Sequence, residues 1–226
     1  MSRFIIIEGG IGVGKSTLIK KLKKIYNNVS FLGEYIEEPR GQVMFELFRE
    51  GKYTTEEFQN YILSYWKRSL AYYEEGTYIL ERGPLAGLAF VDAHTMKGFK
   101  EFEADVLAFM DNIGMNNFKF IEVKARLGIE TYTTIINNFK GNLVLFIAGT
   151  PEELLQGVKE RKRDGEEGYT KEFLTINQNS LYNLYKIYKD DLNVEFINSN
   201  WIIIFLIIII IIIIIIIIII MSYYEL

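Results

Sequence analysis

Short apolar runs alternate with longer amphipathic stretches along most of the chain. Residues 3–8 have a continuous apolar centre, which is typical of a strand buried on both faces of a parallel sheet. Similar short runs predict five strands, at 3–8, 29–33, 78–81, 143–148 and 194–198. Because helical patterns separate these runs, the chain is predicted to be an α/β protein with a five-stranded parallel sheet flanked by helices.

The longer stretches predict helices whose ends carry recognisable signals. Thr54 and Thr55, followed by Glu56 and Glu57, have the composition of a capped helix start. The segment 99–139 also has a mostly helical pattern but few turn residues to divide it. The predicted helices are 16–26, 42–49, 54–75, 84–95, 151–162 and 171–190.

Residues 201–221 are apolar at every position, with an unbroken isoleucine run at 207–220. Roughly 20 apolar residues are enough to cross a bilayer as a helix. Natural spans usually mix residue types, so a low-complexity tail or an unusual buried element are alternatives to a membrane anchor. We therefore divide the chain into a domain at 1–200 and a tail at 201–226. The start of the chain has no pattern of a signal peptide, so we expect a cytoplasmic protein unless the tail is an anchor.

The composition excludes several classes of chemistry. The chain has no cysteine and one histidine, His94, which argues against thiol nucleophiles, zinc–cysteine sites and a catalytic triad. Its net charge of −4 does not favour nucleic acid as a partner.

Residues 9–16 match the phosphate-binding pattern G-x-x-x-x-G-K-[ST] at every position, and Thr17 follows. The run follows a predicted strand and opens a predicted helix, the context in which the loop's N–H groups surround phosphate. Lys15 is then expected to reach the β- and γ-phosphates of ATP, and Ser16 to offer its hydroxyl to Mg²⁺. We expect ATP to be bound by the residues of this loop: Gly9, Gly10, Ile11, Gly12, Val13, Gly14, Lys15, Ser16 and Thr17.

The loop segment IEGGIGVGKST closely resembles the start of the deoxynucleoside kinase family, and the likeness extends over residues 2–198. In that family a Glu-Pro pair after the second strand supplies the general base, which implies that role for Glu38, before Pro39. Phe58-Gln59-Asn60-Tyr61 is similar to the family's Phe-Gln-x-Tyr segment. The resemblance implies that Phe58 borders the nucleobase and that Gln59 hydrogen-bonds to it.

Two later segments extend the resemblance. Glu81-Arg82-Gly83 stands where the family has Glu-Arg-Ser, which implies that Arg82 holds the migrating phosphoryl group and that Glu81 helps to arrange Mg²⁺. Thr150-Pro151-Glu152 and the arginines after it resemble the family's lid. Arg161 and Arg163 are then expected to close over the phosphates of ATP, and Glu166 to bind the sugar 3′-hydroxyl.

Five positions depart from the family pattern. Gly83 replaces the serine, Gly87 stands at a base-reading position, and Gly157 replaces a lid arginine. Trp66 stands where a base-contacting arginine is expected. Phe48 occupies the place of a tyrosine that binds the 3′-hydroxyl, for which Tyr53 is a substitute. The absence of Asp at position 87 favours thymidine or broad pyrimidine use.

The resemblance implies a deoxynucleoside kinase of nucleotide salvage, with ATP and a nucleoside as substrates and Mg²⁺ as cofactor. Glu38, Arg82 and Lys15 are the predicted catalytic residues, and the family's habit of dimerising implies a homodimer. Thymidylate kinase is an alternative that Arg40 favours, because a monophosphate acceptor needs an extra cation. A catalytically weak, membrane-tethered P-loop module is the third reading.

Overall fold

A computed structural model describes residues 2–91, 96–163 and 165–197. Its single sheet has six parallel strands in the order β2-β3-β1-β5-β4-β6. The strands are β1 (Arg3–Gly9), β2 (Ser30–Leu32), β3 (Thr77–Glu81), β4 (Lys119–Lys124), β5 (Leu143–Ala148) and β6 (Glu195–Ile197). The helices are α1 (Lys15–Leu22), α2 (Pro39–Arg49), α3 (Thr55–Ser69), α4 (Phe99–Asn112), α5 (Ile129–Asn138), α6 (Pro151–Arg161) and α7 (Lys171–Ile187).

Helices cover both faces of the sheet, so its central strands are apolar at successive positions. In β1, Phe4 and Ile6 face one core, built with α3, α4 and α7. Ile5 and Ile7 face the other, built mainly with α1, α5 and α6. All four side chains are fully buried, which explains the continuous apolar centre of residues 3–8. The predicted α/β architecture is confirmed.

The prediction of five strands missed β4, which lies between β5 and β6. Phe120, Ile121 and Val123 are buried in it, but Glu122 and Lys124 are exposed and interrupt the apolar run. This mixed pattern hid a strand inside a segment that otherwise reads as helix. Asn116, Asn117 and Gly128 bracket the strand and were the turn signals that could have revealed it.

The helix predictions were right in most places, but several ran past the observed ends, and the helix predicted at 42–49 begins earlier, at Pro39. Thr54 caps α3 with a reciprocal Thr54–Glu57 capping box, as its sequence predicted. The helix α3 ends at Ser69 instead of continuing to residue 75. The predicted helix at 84–95 is a 3₁₀ segment, Pro84–Phe90, and residues 92–95 lie outside the described part.

The isoleucine tract at 201–221 and the rest of the predicted tail also lie outside the described residues. Within the part of the chain that the structure describes, no helix is both long and apolar enough to cross a membrane.

Candidate active site

The phosphate loop joins β1 to α1 at the carboxyl edge of the sheet. Gly12 and Gly14 have φ of 83° and 98°, backbone conformations that residues with a Cβ rarely adopt. Gly14 is the N-cap of α1 and has no side chain to occupy the first N–H groups of the helix. Those donors and the helix dipole are therefore free to meet an anion.

Lys15 is buried inside this loop and donates hydrogen bonds to the carbonyls of Gly9 and Gly10, at 3.1 and 3.0 Å. Burial, reinforced by the charge of Arg82, lowers the pKa of Lys15 to about 8. A phosphate placed beside the ammonium group would compensate for this desolvation, because opposite charges favour the charged form.

The loop forms the floor of a cleft of about 710 Å³, which we call the first cleft. Residues 12–17 line it, together with the first turns of α1, the chain after β4, and α6. Arg161, the last residue of α6, and Arg163 also line it. The predicted lid arginines thus lie beside the predicted phosphate loop.

A network of buried charges is centred on Arg82, which follows β3. Its Nη1 donates to Glu8 Oε1 at 2.8 Å, and its Nε donates to Glu34 Oε1 at 2.9 Å. Burial disfavours the charged guanidinium, but the two carboxylates outweigh it and raise the pKa of Arg82. Burial also disfavours ionisation of Glu34, yet Arg82, Lys15 and Arg163 hold the pKa of that carboxyl below its usual value. Glu34 is therefore an anion at neutral pH.

Glu38, the expected general base, lies outside this network. Its side chain is 47% exposed and its nearest cation is Arg68, at 3.9 Å. Glu34 is 18% exposed, lies two residues after the end of β2 and lines a second cleft together with Arg82. The sequence offered both as members of one acidic run, and the proline that follows Glu38 was the reason to prefer Glu38. A 3₁₀ turn, Tyr35–Glu37, intervenes and carries Glu38 to the surface.

The second cleft, of about 400 Å³, contains Glu34, and eight of the residues that line it are aromatic. Phe48 and Phe58 stack with ring centres 4.5 Å apart and planes nearly parallel. Gln59 is only 3% exposed, and its Oε1 has no hydrogen-bond partner among the described residues. Trp66 and Gly87 also line this cleft, whereas Tyr53 is not among the residues around it. An apolar slot with one unpaired buried amide oxygen suits a flat, polar-edged ring.

The lid segment lies between the two clefts. Arg161 and Arg163 line both of them. Arg161 makes a two-pronged ion pair with Glu166, with Nε to Oε2 at 3.0 Å and Nη2 to Oε1 at 2.5 Å. The pair holds Glu166, which is buried, at the wall of the second cleft.

The structure gives a physical reason for two of the glycines that depart from the family pattern. A Cβ at Gly157 would overlap the backbone oxygen of Gly12, so α6 packs directly on the phosphate loop. A Cβ at Gly83 would lie 2.8 Å from the Cδ1 of Ile6, inside normal contact distance.

Ser16 and Glu81 meet at the inner end of the first cleft. The hydroxyl of Ser16 donates to Glu81 Oε1 at 2.6 Å. Burial, followed by the charge of Glu34, raises the pKa of Glu81. No group of three His, Cys, Asp or Glu side chains that could hold a metal occurs within residues 2–91, 96–163 and 165–197. A cation here would need oxygen ligands from a bound nucleotide as well.

Comparisons with known proteins identify the family of the chain. The family model for deoxynucleoside kinase matches residues 5–201. No curated protein sequence matches the chain. A solved deoxyadenosine kinase of M. mycoides with the products dCMP and a flexible dCDP is 18% identical, with a TM-score of 0.51 over 87% of this chain and 90% of that one. The same enzyme with dATP is 17% identical, with a TM-score of 0.50 over 87% and 91%.

This chain has the same fold as these solved structures, and the family model covers most of its sequence. The chain therefore belongs to the deoxynucleoside kinase family and is an ATP-dependent deoxynucleoside kinase.

Proposed function

We propose that Glu34 accepts the proton of the nucleoside 5′-hydroxyl while the γ-phosphate of ATP is transferred to that oxygen. The observation that carries this proposal is the 2.9 Å ion pair between Glu34 and Arg82 in the cleft next to the phosphate loop. A carboxylate held ionised in this position can orient and deprotonate a hydroxyl. Glu38, whose side chain is 47% exposed, does not line this cleft.

The donor triphosphate binds in the first cleft. Lys15 turns from the carbonyls of Gly9 and Gly10 to the β- and γ-phosphates, and the N–H groups of residues 12–17 surround them. Arg161 and Arg163 cover the transferred group and exclude water from it. Arg82, fixed by Glu8 and Glu34, stabilises the negative charge that spreads over the transferred group.

The residues present fit Mg²⁺. Mg²⁺ prefers a few protein oxygens together with phosphates and water, and Ser16 and Glu81 offer a hydroxyl and a carboxylate 2.6 Å apart. Ser16 would bind the ion and Glu81 would order its waters. The bound ion would neutralise charge on the β- and γ-phosphates.

The nucleoside binds in the second cleft. Its base lies against Phe58 and Phe48, and the unpaired amide of Gln59 hydrogen-bonds to the base edge. Glu166 binds the 3′-hydroxyl, whereas Phe48 can offer that group only apolar contact. With Gly87 contributing no side chain to read the base, we propose a pyrimidine deoxynucleoside as the preferred acceptor.

Replacement of Glu34 by Gln tests the assignment of the base. We expect kcat to fall by about 10²–10⁴-fold, the usual contribution of a positioned base. Glu38→Gln is the matched control, four residues away and exposed, and should retain wild-type activity. Full activity in Glu34→Gln together with collapse in Glu38→Gln would return the role to Glu38.

A panel of thymidine, deoxycytidine, deoxyadenosine, deoxyguanosine and dTMP identifies the acceptor. Phosphorylation of dTMP alone would instead indicate thymidylate kinase. The structure gives that reading no support, because Arg40 is exposed, lies over the ring of Tyr61 and does not line the second cleft. A homodimer and membrane association stay predictions, which sedimentation and membrane fractionation of the full chain would measure.

A further inference from the structure

We propose that the chain following β4 forms the wall on which the purine base of the donor nucleotide rests, with the guanidinium of Arg126 stacked on the base. Arg126, Leu127 and Ile129 line the first cleft together with the phosphate loop. This inference deepens the proposed function, since it assumes that the first cleft takes ATP.

The position of β4 in the sheet places this wall beside the phosphate loop. The strand β5 separates β4 from β1, so the carboxyl ends of all three strands meet at one edge. The N–H of Ala125 donates to the carbonyl of Ala148 at 2.8 Å, which extends the pairing one residue beyond β4. The next residue, Arg126, therefore emerges at the mouth of the first cleft.

The backbone of Arg126 has φ of 61°, a left-handed conformation that is strained for a residue with a Cβ. The side chain is exposed, and no ion pair, hydrogen bond or ring contact to it occurs within the described ranges. Arg82 adopts the same conformation, with φ of 62°, but two carboxylates hold it. Arg126 thus presents an uncommitted, planar cation to the cleft.

The two clefts fix the direction in which ATP lies. Arg161 and Arg163 line both clefts, so the γ-phosphate must sit at their shared end, next to Arg82. The other end of the donor then points away from the second cleft. Leu127 and Ile129 are partly buried against the core there, and they supply apolar surface beside the guanidinium. Apolar contact plus a flat cation suits a purine ring better than a phosphate.

The test compares two ligands that share the phosphate loop. Binding of ADP and of inorganic tripolyphosphate, both with Mg²⁺, would be measured by calorimetry on the full chain. Arg126→Ala should weaken ADP binding by about tenfold, the size of a well-placed cation–π contact, and leave tripolyphosphate binding unchanged. Lys124→Ala, on the exposed side of the same strand, is the control and should change neither.

Equal weakening of both ligands would overturn the proposal and make Arg126 a phosphate ligand. Unchanged ADP binding would overturn it as well. Arg126→Lys adds a further check, because a lysine restores charge but not a planar face, and it should recover little of the ADP affinity. Failure of the proposed function would look different: the wild type would bind ADP but would phosphorylate no nucleoside.

Discussion

At the scale of single residues, tertiary contacts explain the conformation of Arg82 and the identity of Gly157. Arg82 keeps a left-handed backbone because ion pairs to Glu8 and Glu34 compensate for the strain. Gly157 stands in the middle of α6, where alanine would ordinarily stabilise a helix by about 0.8–1.0 kcal/mol. A residue without a Cβ is needed at this position because the helix packs against the backbone of Gly12. The sequence showed both residues, but neither contact could be deduced from the chain alone.

Gly157→Ala should therefore impair donor binding in spite of its better helix propensity. The added Cβ pushes α6 away from the phosphate loop, and we expect KM for ATP to rise on the order of tenfold to a hundredfold. KM for the nucleoside should change much less. Gly76→Ala is the control, because the nearest atom to its Cβ would be Cε2 of Tyr78, at 3.9 Å. A lower KM for ATP in Gly157→Ala would contradict the packing argument.

The buried amide of Gln59 gives a second prediction at this scale. Leucine has a similar size but cannot hydrogen-bond, so Gln59→Leu should weaken binding of the nucleoside while leaving the helix α3 packed. We expect KM for the nucleoside to rise by about tenfold or more, since the base edge is left unpaired. KM for ATP should stay within about twofold of the wild type, as measured by steady-state kinetics. If Gln59→Leu instead raised only the KM for ATP, the nucleobase would have to bind somewhere other than beside Gln59.

At the scale of elements, the site depends on hydrogen bonds that hold its loops against the neighbouring helices. The chain that leaves β2 carries Glu34, and the hydroxyl of Tyr65 on α3 donates to the carbonyl of Gly33 at 2.7 Å. Burial raises the pKa of Tyr65 to about 12. The hydrogen bond from Tyr65 to Gly33 therefore connects the helix that carries Gln59 to the loop that carries the proposed general base. It holds these two sides of the second cleft in a fixed relation.

Tyr65→Phe should cost about 1 kcal/mol in the free energy of unfolding and lower kcat, because the Glu34 loop loses its anchor. The contribution of Tyr65 to the free energy of unfolding is fully present below pH 10, where its phenol is protonated in both the folded and the unfolded protein. It is lost as pH rises from 10 to about 12, because the unfolded chain ionises first. Urea unfolding at pH 8 and pH 11 should show a smaller pH effect in Tyr65→Phe than in the wild type. Equal pH effects in the two proteins would contradict the raised pKa.

At the scale of the whole molecule, two cores on opposite faces fix the sheet and bring the loops to one edge. The strand β4 belongs to this framework although its sequence hid it. Phe120 in β4 is 1% exposed and its ring lies against Phe146, Tyr182, Tyr185 and Phe196. Through these contacts β4 joins the edge strand β6 and the helix α7 to the centre of the sheet.

Phe120→Ala should destabilise the protein by about 3–5 kcal/mol, the cost of removing a fully buried aromatic ring. Denaturant unfolding of the full chain measures this, with Lys124→Ala on the same strand expected to change stability by less than about 0.5 kcal/mol. A loss below 1 kcal/mol in Phe120→Ala would mean that β4 is not a central strand.

The sequence by itself determined the features that rest on local pattern. The α/β class follows from alternating strand and helix periods, the phosphate loop from eight consecutive residues, and the start of α3 from its capping residues. Family membership follows from motifs that keep their order along the chain.

Only the tertiary structure decided which residue of an acidic run enters the cleft. Glu34 and Glu38 are four residues apart, and their difference in environment comes from Arg82, which lies 48 residues away from Glu34 in the chain. The position of β4, and with it that of Arg126, was also decided by tertiary structure, because a short strand with exposed charges is recognised by its neighbours in the sheet. Long-range contacts, which a local pattern does not contain, are the physical reason in both cases.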